Sequence, residues 1–234
     1  MSTRKPHPPV AKDPAPPRLP GPVLRRFPRY LTHVRELQRV QQKWVTSREI
    51  AATLNLTTST VRQDVSHIDM SGVSKRGYEV NLLERVLSDV LGARVVHRNV
   101  IVGAGLLGRA LALHADFEAN GFKTVAIFDS DPKLVGSKVG PLRIRPMRDL
   151  KRICGSQDVD IGVLAVPAAA AQQVAEQLVT AGVKGLLNMA HMHLHLPRSV
   201  IVVEARIVAR MQEIAYAIRT RQQSPQAPGG RTPR

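Results

Sequence analysis

One stretch of this chain limits its fold more than any other. Asn99-Val100-Ile101-Val102 runs directly into Gly103-Ala104-Gly105-Leu106-Leu107-Gly108 and then into the Ala/Leu-rich run 109–115. Strand, glycine turn and helix in that order are the opening of a dinucleotide-binding βαβ unit. Gly103 permits the tight turn, Gly105 lets backbone amides approach a pyrophosphate, and Gly108 allows close helix–strand packing. The helix N-terminus adds partial positive charge for the phosphates. A second β-rich run, 124–128, ends at Asp129, 21 residues after Gly108. A carboxylate there takes the adenosine ribose hydroxyls and repels a 2′-phosphate, so the cofactor expected is NAD(H).

Further β-rich runs at 161–166 and 185–188 alternate with Ala/Leu-rich helical stretches, which predicts a parallel sheet. Ser130, Val166, Pro167 and Asn188 fall at strand ends, where a cofactor crevice opens in such sheets. After this unit only one amphipathic segment remains, 202–218. Its stripe of Ile207, Val208, Met211, Ile214, Ala215 and Ile218 suits a partner surface.

Residues 30–90 have a different character. Tyr30, Leu31, Val34, Leu37 and Val40 recur at helical spacing. Thr46 or Ser47 can cap a helix over 48–54, with Glu49 completing a capping box, and Thr57 or Thr58 can cap another over 59–68. Ile50, Ala51, Leu54, Val61, Val65 and Ile68 then form a buried seam. Ser59, Thr60, Arg62, Gln63 and Ser66 are left on the outer face of the second helix. Gln reads adenine, Arg meets guanine or phosphate, and short hydroxyls approach closely, so this is a candidate recognition helix for double-stranded DNA. The Gly-bounded turn Gly72-Val73-Ser74-Lys75-Arg76-Gly77-Tyr78 is a candidate wing that lays Lys75 and Arg76 along phosphates or into a minor groove.

The formal charge of +16 favours a polyanionic partner. Ten of those sixteen charges come from residues 1–29 and 219–234. Residues 1–29 hold nine prolines and almost no apolar periodicity. They read as a disordered basic arm, and 222–234 as a disordered tail. With no apolar run near the length of a membrane span, no secretory apolar segment and Cys154 the sole cysteine, a cytoplasmic location is expected. The organisation expected is therefore an α/β chain: arm 1–29, winged helix-turn-helix 30–90, Rossmann domain 91–201, dimerisation helix 202–221 and tail 222–234.

No Ser/His/Asp or Cys/His constellation is apparent, and there is no room for a separate substrate domain, so no catalytic residue is assigned. His191, His193 and His195 alternate along an extended segment as if on one face of a strand, but no Cys or carboxylate lies adjacent, and no metal site is assigned. Two other readings stay open. One is a DNA-binding regulator whose crevice takes another adenine nucleotide or nothing. The other, disfavoured by the missing substrate domain, is a small NAD-dependent oxidoreductase.

Over residues 28–218 the order of parts resembles the redox-sensing repressor Rex family. The resemblance is carried by Ser47-Arg48-Glu49-Ile50-Ala51, Val61-Arg62-Gln63-Asp64-Val65-Ser66, Lys75-Arg76-Gly77-Tyr78, the run Gly103 to Leu111, Phe128-Asp129-Ser130-Asp131-Pro132, Val166-Pro167 and Gly182-Val183-Lys184-Gly185-Leu186-Leu187-Asn188. It implies a homodimeric repressor on inverted-repeat operators, released by NADH in competition with NAD+, with its C-terminal helix swapped into the partner. It also implies that Arg62, Gln63, Lys75 and Arg76 contact DNA. Gly103, Gly105, Leu106, Leu107, Gly108, Asp129 and Asn188 would line the cofactor site. This sequence departs from the family pattern at four places. The wing is one residue shorter, Gln63 replaces a Lys, and Arg206 replaces an Asp of the redox switch. Asn188-Met189-Ala190-His191 replaces Asn-Phe-Ala-Pro.

Overall fold

The structure, a computed structural model, describes residues 17–223, with side chains described through residue 220. The expected arm therefore falls mostly outside the described residues, as does the tail beyond Gln223. The chain divides into two compact units between Val95 and Val96.

The first unit comprises α1 (Gly21–Arg39), β1 (Trp44–Val45), α2 (Ser47–Leu54), α3 (Thr58–Val65), β2 (Tyr78–Glu79) and α4 (Val80–Val90). Here the first expectation is corrected: residues 21–29 are helix, not disordered arm, and the unit begins well before residue 30. Pro22 sits in the first turn of α1, where its missing N–H costs nothing. Pro28 lies inside the helix, which costs about 3 kcal/mol. Val23, Phe27, Tyr30, Leu31 and Val34 are all buried. At about 2 kcal/mol for each such side chain, burial outweighs the proline.

A polar tie adds to this packing. The Asp64 carboxylate accepts hydrogen bonds from Arg26 Nε and Nη2 and from the Tyr30 hydroxyl, each at 2.6 Å. Burial alone would raise the Asp64 carboxyl, but these bonds outweigh it and hold it below the usual carboxylate range. Burial, and then the same contact, push the Tyr30 hydroxyl up.

The second unit carries β3 (His97–Val102), α5 (Leu106–Ala112), α6 (Ala115–Ala119), β4 (Phe122–Asp129), β5 (Lys138–Val139), β6 (Leu142–Pro146), α7 (Leu150–Gln157), β7 (Ile161–Leu164), α8 (Ala168–Thr180), β8 (Gly185–Asn188), β9 (Ile201–Glu204) and α9 (Ile207–Gln223). Its sheet runs β5-β6-β4-β3-β7-β8-β9, parallel except for the β5–β6 pair. Omitting β5, the six parallel strands follow the order 3-2-1-4-5-6 of the doubly wound dinucleotide fold. Both faces are covered. Leu150, Ile153 and Cys154 of α7 and Ala171, Ala175 and Leu178 of α8 pack on one face, and Leu111 and Ala112 of α5 on the other. Burial pushes the Cys154 thiol up to about 11, so the lone cysteine is a packed side chain held as the thiol.

Three boundaries shift. Residues 201–204 are the sixth parallel strand, hydrogen-bonded to β8, so the Rossmann sheet extends past 201 and the C-terminal helix begins at Ile207. That helix reaches Gln223, two residues into the expected tail. The third helix of the first unit ends at Val65 rather than Ile68, because Ser66–Ile68 close into turns with hydrogen bonds back to residues 62–65.

Candidate functional site

The glycine turn leaves β3 where the strand order reverses between β3 and β7. Gly103 adopts φ +102°, and a Cβ there would overlap the Ala165 carbonyl oxygen. A Cβ on Gly108 would overlap the Gly103 carbonyl oxygen, so α5 is packed against the turn at a distance only glycine permits. A Cβ on Gly105 would meet nothing within 4 Å. The turn is thus tight on its inner side and open at Gly105, the shape a pyrophosphate approaching backbone amides requires. Asp129 Oδ2 accepts a hydrogen bond from Ala104 N at 2.7 Å, and Oδ1 accepts from Asp131 N at 2.8 Å. That carboxylate therefore ties the ends of β3 and β4 together as well as facing the crevice.

A cavity of about 770 Å³ opens over the turn. Among the residues picked from the sequence, Gly103, Gly105, Leu106, Leu107, Asp129, Ser130, Val166 and Pro167 line it. Ala104, Gly108 and Asn188 do not. Ala104 and Gly108 are buried beneath the turn. Asn188 is buried as well, and its side chain faces the chain that follows it. Its Oδ1 accepts from Ala190 N at 3.0 Å, and its Nδ2 donates to Met192 O at 2.9 Å.

That following segment forms a wall of the crevice through Met189, Ala190 and His191. It is not the strand expected for the three histidines, since no ladder partner supports it, although its side chains do alternate. His191, His193 and His195 are exposed while Met192, Leu194 and Leu196 pack on the core. Two amide side chains take the place of a neighbouring strand. Asn188 holds one end, and Gln172 of α8 holds the other, with Oε1 accepting from His195 N and Nε2 donating to His195 O, both at 2.9 Å. Met189 and His191 belong to the stretch that departs from the family pattern, whereas Gln172 lies in an Ala/Gln run with no signal of its own. His193 Nδ1 lies 3.0 Å from Glu204 Oε1, and Arg206 Nε 2.7 Å from Glu204 Oε2. No cluster of metal-ligating side chains occurs among the described residues.

In the first unit Thr46 caps α2 with a full capping box to Glu49, and the Thr46 amide draws the Glu49 carboxyl below its ordinary range. Thr57 caps α3 by accepting from Thr60 N at 3.1 Å. Every member of the expected seam, from Ile50 to Ile68, is buried. On α3, Ser59, Arg62 and Gln63 are exposed and Thr60 is half-buried. Ser59 and Thr60 share their hydroxyls with Thr57, and Arg62 Nε reaches Ser47 at 3.3 Å. The wing is a turn closed by paired backbone bonds between Val73 and Gly77, 2.7 and 2.9 Å. Lys75 sits at its tip with φ +63°. Lys75 and Arg76 are both exposed, and the Arg76 guanidinium lies over the Trp44 ring, 5.7 Å from its centroid. The tie that Asp64 makes from α3 to α1 has no sequence signal, because a carboxylate between Gln63 and Val65 offers no periodic sign of burial.

Comparison with known proteins bears on both units. A family model described as "Putative DNA-binding protein N-terminus" matches residues 18–66, and one described as "CoA binding domain" matches 97–192. The redox-sensing transcriptional repressor Rex of Chloroflexus aggregans is 36% identical over 204 residues, 87% of this chain and 96% of that protein. This chain belongs to the Rex family. Rex of Caldicellulosiruptor saccharolyticus is 35% identical over 84% of this chain and 90% of its own length. Among solved structures, the Rex-family repressor RSP with NADH superposes with a TM-score of 0.80 at 31% identity, covering 87% of this chain and 96% of RSP. RSP with NAD+ and operator DNA gives 0.82 at 31% identity, covering 88% and 94%. The DNA-binding N-terminus model matches from residue 18, in agreement with α1 as part of the fold rather than an arm.

Proposed function

We infer that this chain is a DNA-binding transcriptional repressor whose hold on its operator is set by the NADH/NAD+ ratio. The observation that carries the reading is the pairing, in one chain, of a capped helix-turn-helix with an open glycine turn at a topological switch point. The relative RSP is known both with NADH and with NAD+ and operator DNA. Ser59, Thr60, Arg62 and Gln63 enter the major groove, and Lys75 and Arg76 on the wing meet phosphates. In the crevice, Gly103, Gly105, Leu106 and Leu107 hold the pyrophosphate, Asp129 and Ser130 the adenosine ribose, and Val166 and Pro167 the far wall. Ala104, Gly108 and Asn188 shape that site from beneath. NAD(H) fits better than its 2′-phosphorylated form because Asp129 faces the cavity.

The active form is a homodimer on an inverted repeat. Ile207, Val208, Met211, Ile214 and Ile218 of α9 are each more than half exposed, as are Ile201 and Val203 on the edge strand beside them. A stripe of that extent suits burial against a second copy, with α9 swapped between protomers. A difference of a few kcal/mol in cofactor affinity between DNA-bound and released states is enough to switch such a dimer. The cofactor is sensed rather than consumed, and the protein acts beside the chromosome in the cytoplasm.

Fluorescence anisotropy on a palindromic duplex, titrating NADH and NAD+ separately at fixed salt, tests this. Release by NADH at concentrations where NAD+ does little, with absorbance at the NADH band constant, is the expected result. DNA binding indifferent to both cofactors would overturn the redox reading and favour another adenine nucleotide, the alternative that the CoA-binding match keeps in view.

A further inference from the structure

A second, smaller cavity of about 300 Å³ opens between β4, β6 and α7. None of its lining residues borders the glycine-turn crevice. The layer between a sheet and its covering helix is normally filled with apolar side chains. Here Phe128, Leu150 and Cys154 fill one part of that layer in the usual way. The floor of this cavity is apolar, from Val125, Leu142 and Ile153, but its rim carries Thr124, Ser156 and Gln157 and the cations of Lys123, Arg145 and Arg152. No carboxylate lines it. Among the described residues neither Lys123 nor Arg145 has a side-chain partner, and Arg152 has one ion pair, to Asp149 at 3.5 Å.

Three like charges around one concavity repel one another, and the low-dielectric wall focuses their field into the space between them. With ten of the sixteen excess charges in the terminal segments, these three equal half of what remains. We propose that this cleft is a second ligand site, built for a small polyvalent oxyanion such as a phosphoryl group on a compact metabolite. Two guanidinium groups supply the paired donors that match phosphate oxygens. Lys123 adds a point charge and the Gln157 amide a neutral donor, while the Ser156 hydroxyl donates to the Ile153 carbonyl at 3.3 Å. The volume admits a phosphate or pyrophosphate with a short organic part and excludes a whole dinucleotide.

The test is calorimetric titration of the full chain with inorganic pyrophosphate, at fixed ionic strength and with NADH in excess to occupy the crevice. One equivalent per chain is expected to bind. Arg145→Ala/Arg152→Ala should weaken it tenfold or more, and Lys123→Gln threefold or more, with NADH and operator affinities unchanged. Lys123→Gln keeps the test decisive if the double variant fails to fold. Because wild type is compared with variants of the cleft, the result does not depend on what the crevice holds. Absence of binding overturns the proposal. So does equal binding to the variants, which would assign the anion to the basic termini. Loss of operator affinity in the variants without any pyrophosphate effect would also overturn it, and would make the three cations a DNA-facing patch.

Discussion

The two long terminal helices of the described chain are opposites. α1 reads poorly, with a proline in its first turn and another in its interior, yet it buries five large side chains and a salt-bridged carboxylate partner. α9 reads well as an amphipathic helix, yet every member of its apolar stripe is exposed. Periodicity reports which face of a helix is meant to be buried, not whether burial takes place within the same chain. Helix stability comes chiefly from tertiary contact; α1 finds that contact inside its own unit, and α9 requires it from outside.

Placing charge on the α9 stripe should break the comparison most completely. Met211→Asp/Ile214→Asp should convert a dimer to a monomer by sedimentation and lower affinity for an inverted repeat a hundredfold or more, while a half-site is bound as before. A variant that remains dimeric would remove α9 from the interface. Asp64→Ala should cost the first unit about 3 kcal/mol in urea unfolding, because it strands the Arg26 guanidinium and the Tyr30 hydroxyl. NADH binding to the isolated second unit's site should be untouched.

The same carboxyl sets an acid limit. Asp64 and Glu49 titrate below their unfolded values, so their stabilisation is present above the unfolded carboxylate range, about pH 4, and is lost as pH falls through the folded values. Asp64→Asn should flatten that acid dependence in melts of the first unit. Pro28→Ala should work in the opposite sense, raising the stability of the first unit by about 3 kcal/mol as the Leu24 carbonyl regains its helical donor. The smallest effect expected is that of Thr57→Ala, about 1 kcal/mol from the lost α3 cap, read as a lower midpoint in the same urea titration.

What was legible in the sequence is what local chemistry dictates. The capping threonines, the buried seam of α2 and α3, and the glycine turn with its flanking strands were all specified by short-range pattern, and the structure has them in place. β9 was missed because four residues at a sheet edge, mostly exposed, merge in pattern with the helix that follows. The helical residues 21–29 were missed because proline count is a local signal and Asp64, which ties that segment down, lies 38 residues from Arg26. In the crevice, residue types at strand ends located the site, but pattern could not separate those that face it from those beneath. Asn188 has the right position and the opposite orientation, a distinction set by side-chain rotamer rather than by sequence spacing.

The wall of the crevice fastened by Asn188 and Gln172 has one more consequence. A strand is held by a row of main-chain bonds that no substitution other than proline deletes, and its amides exchange with solvent only when the sheet opens. Residues 189–196 are held largely by two side chains. Their amides should exchange far faster than those of β8 beside them, and slow when a ligand fills the cavity. Replacing the Gln172 amide, which lies on α8, would let the wall loosen without changing any strand residue, so the wall of the crevice is adjustable while the sheet beneath stays constant.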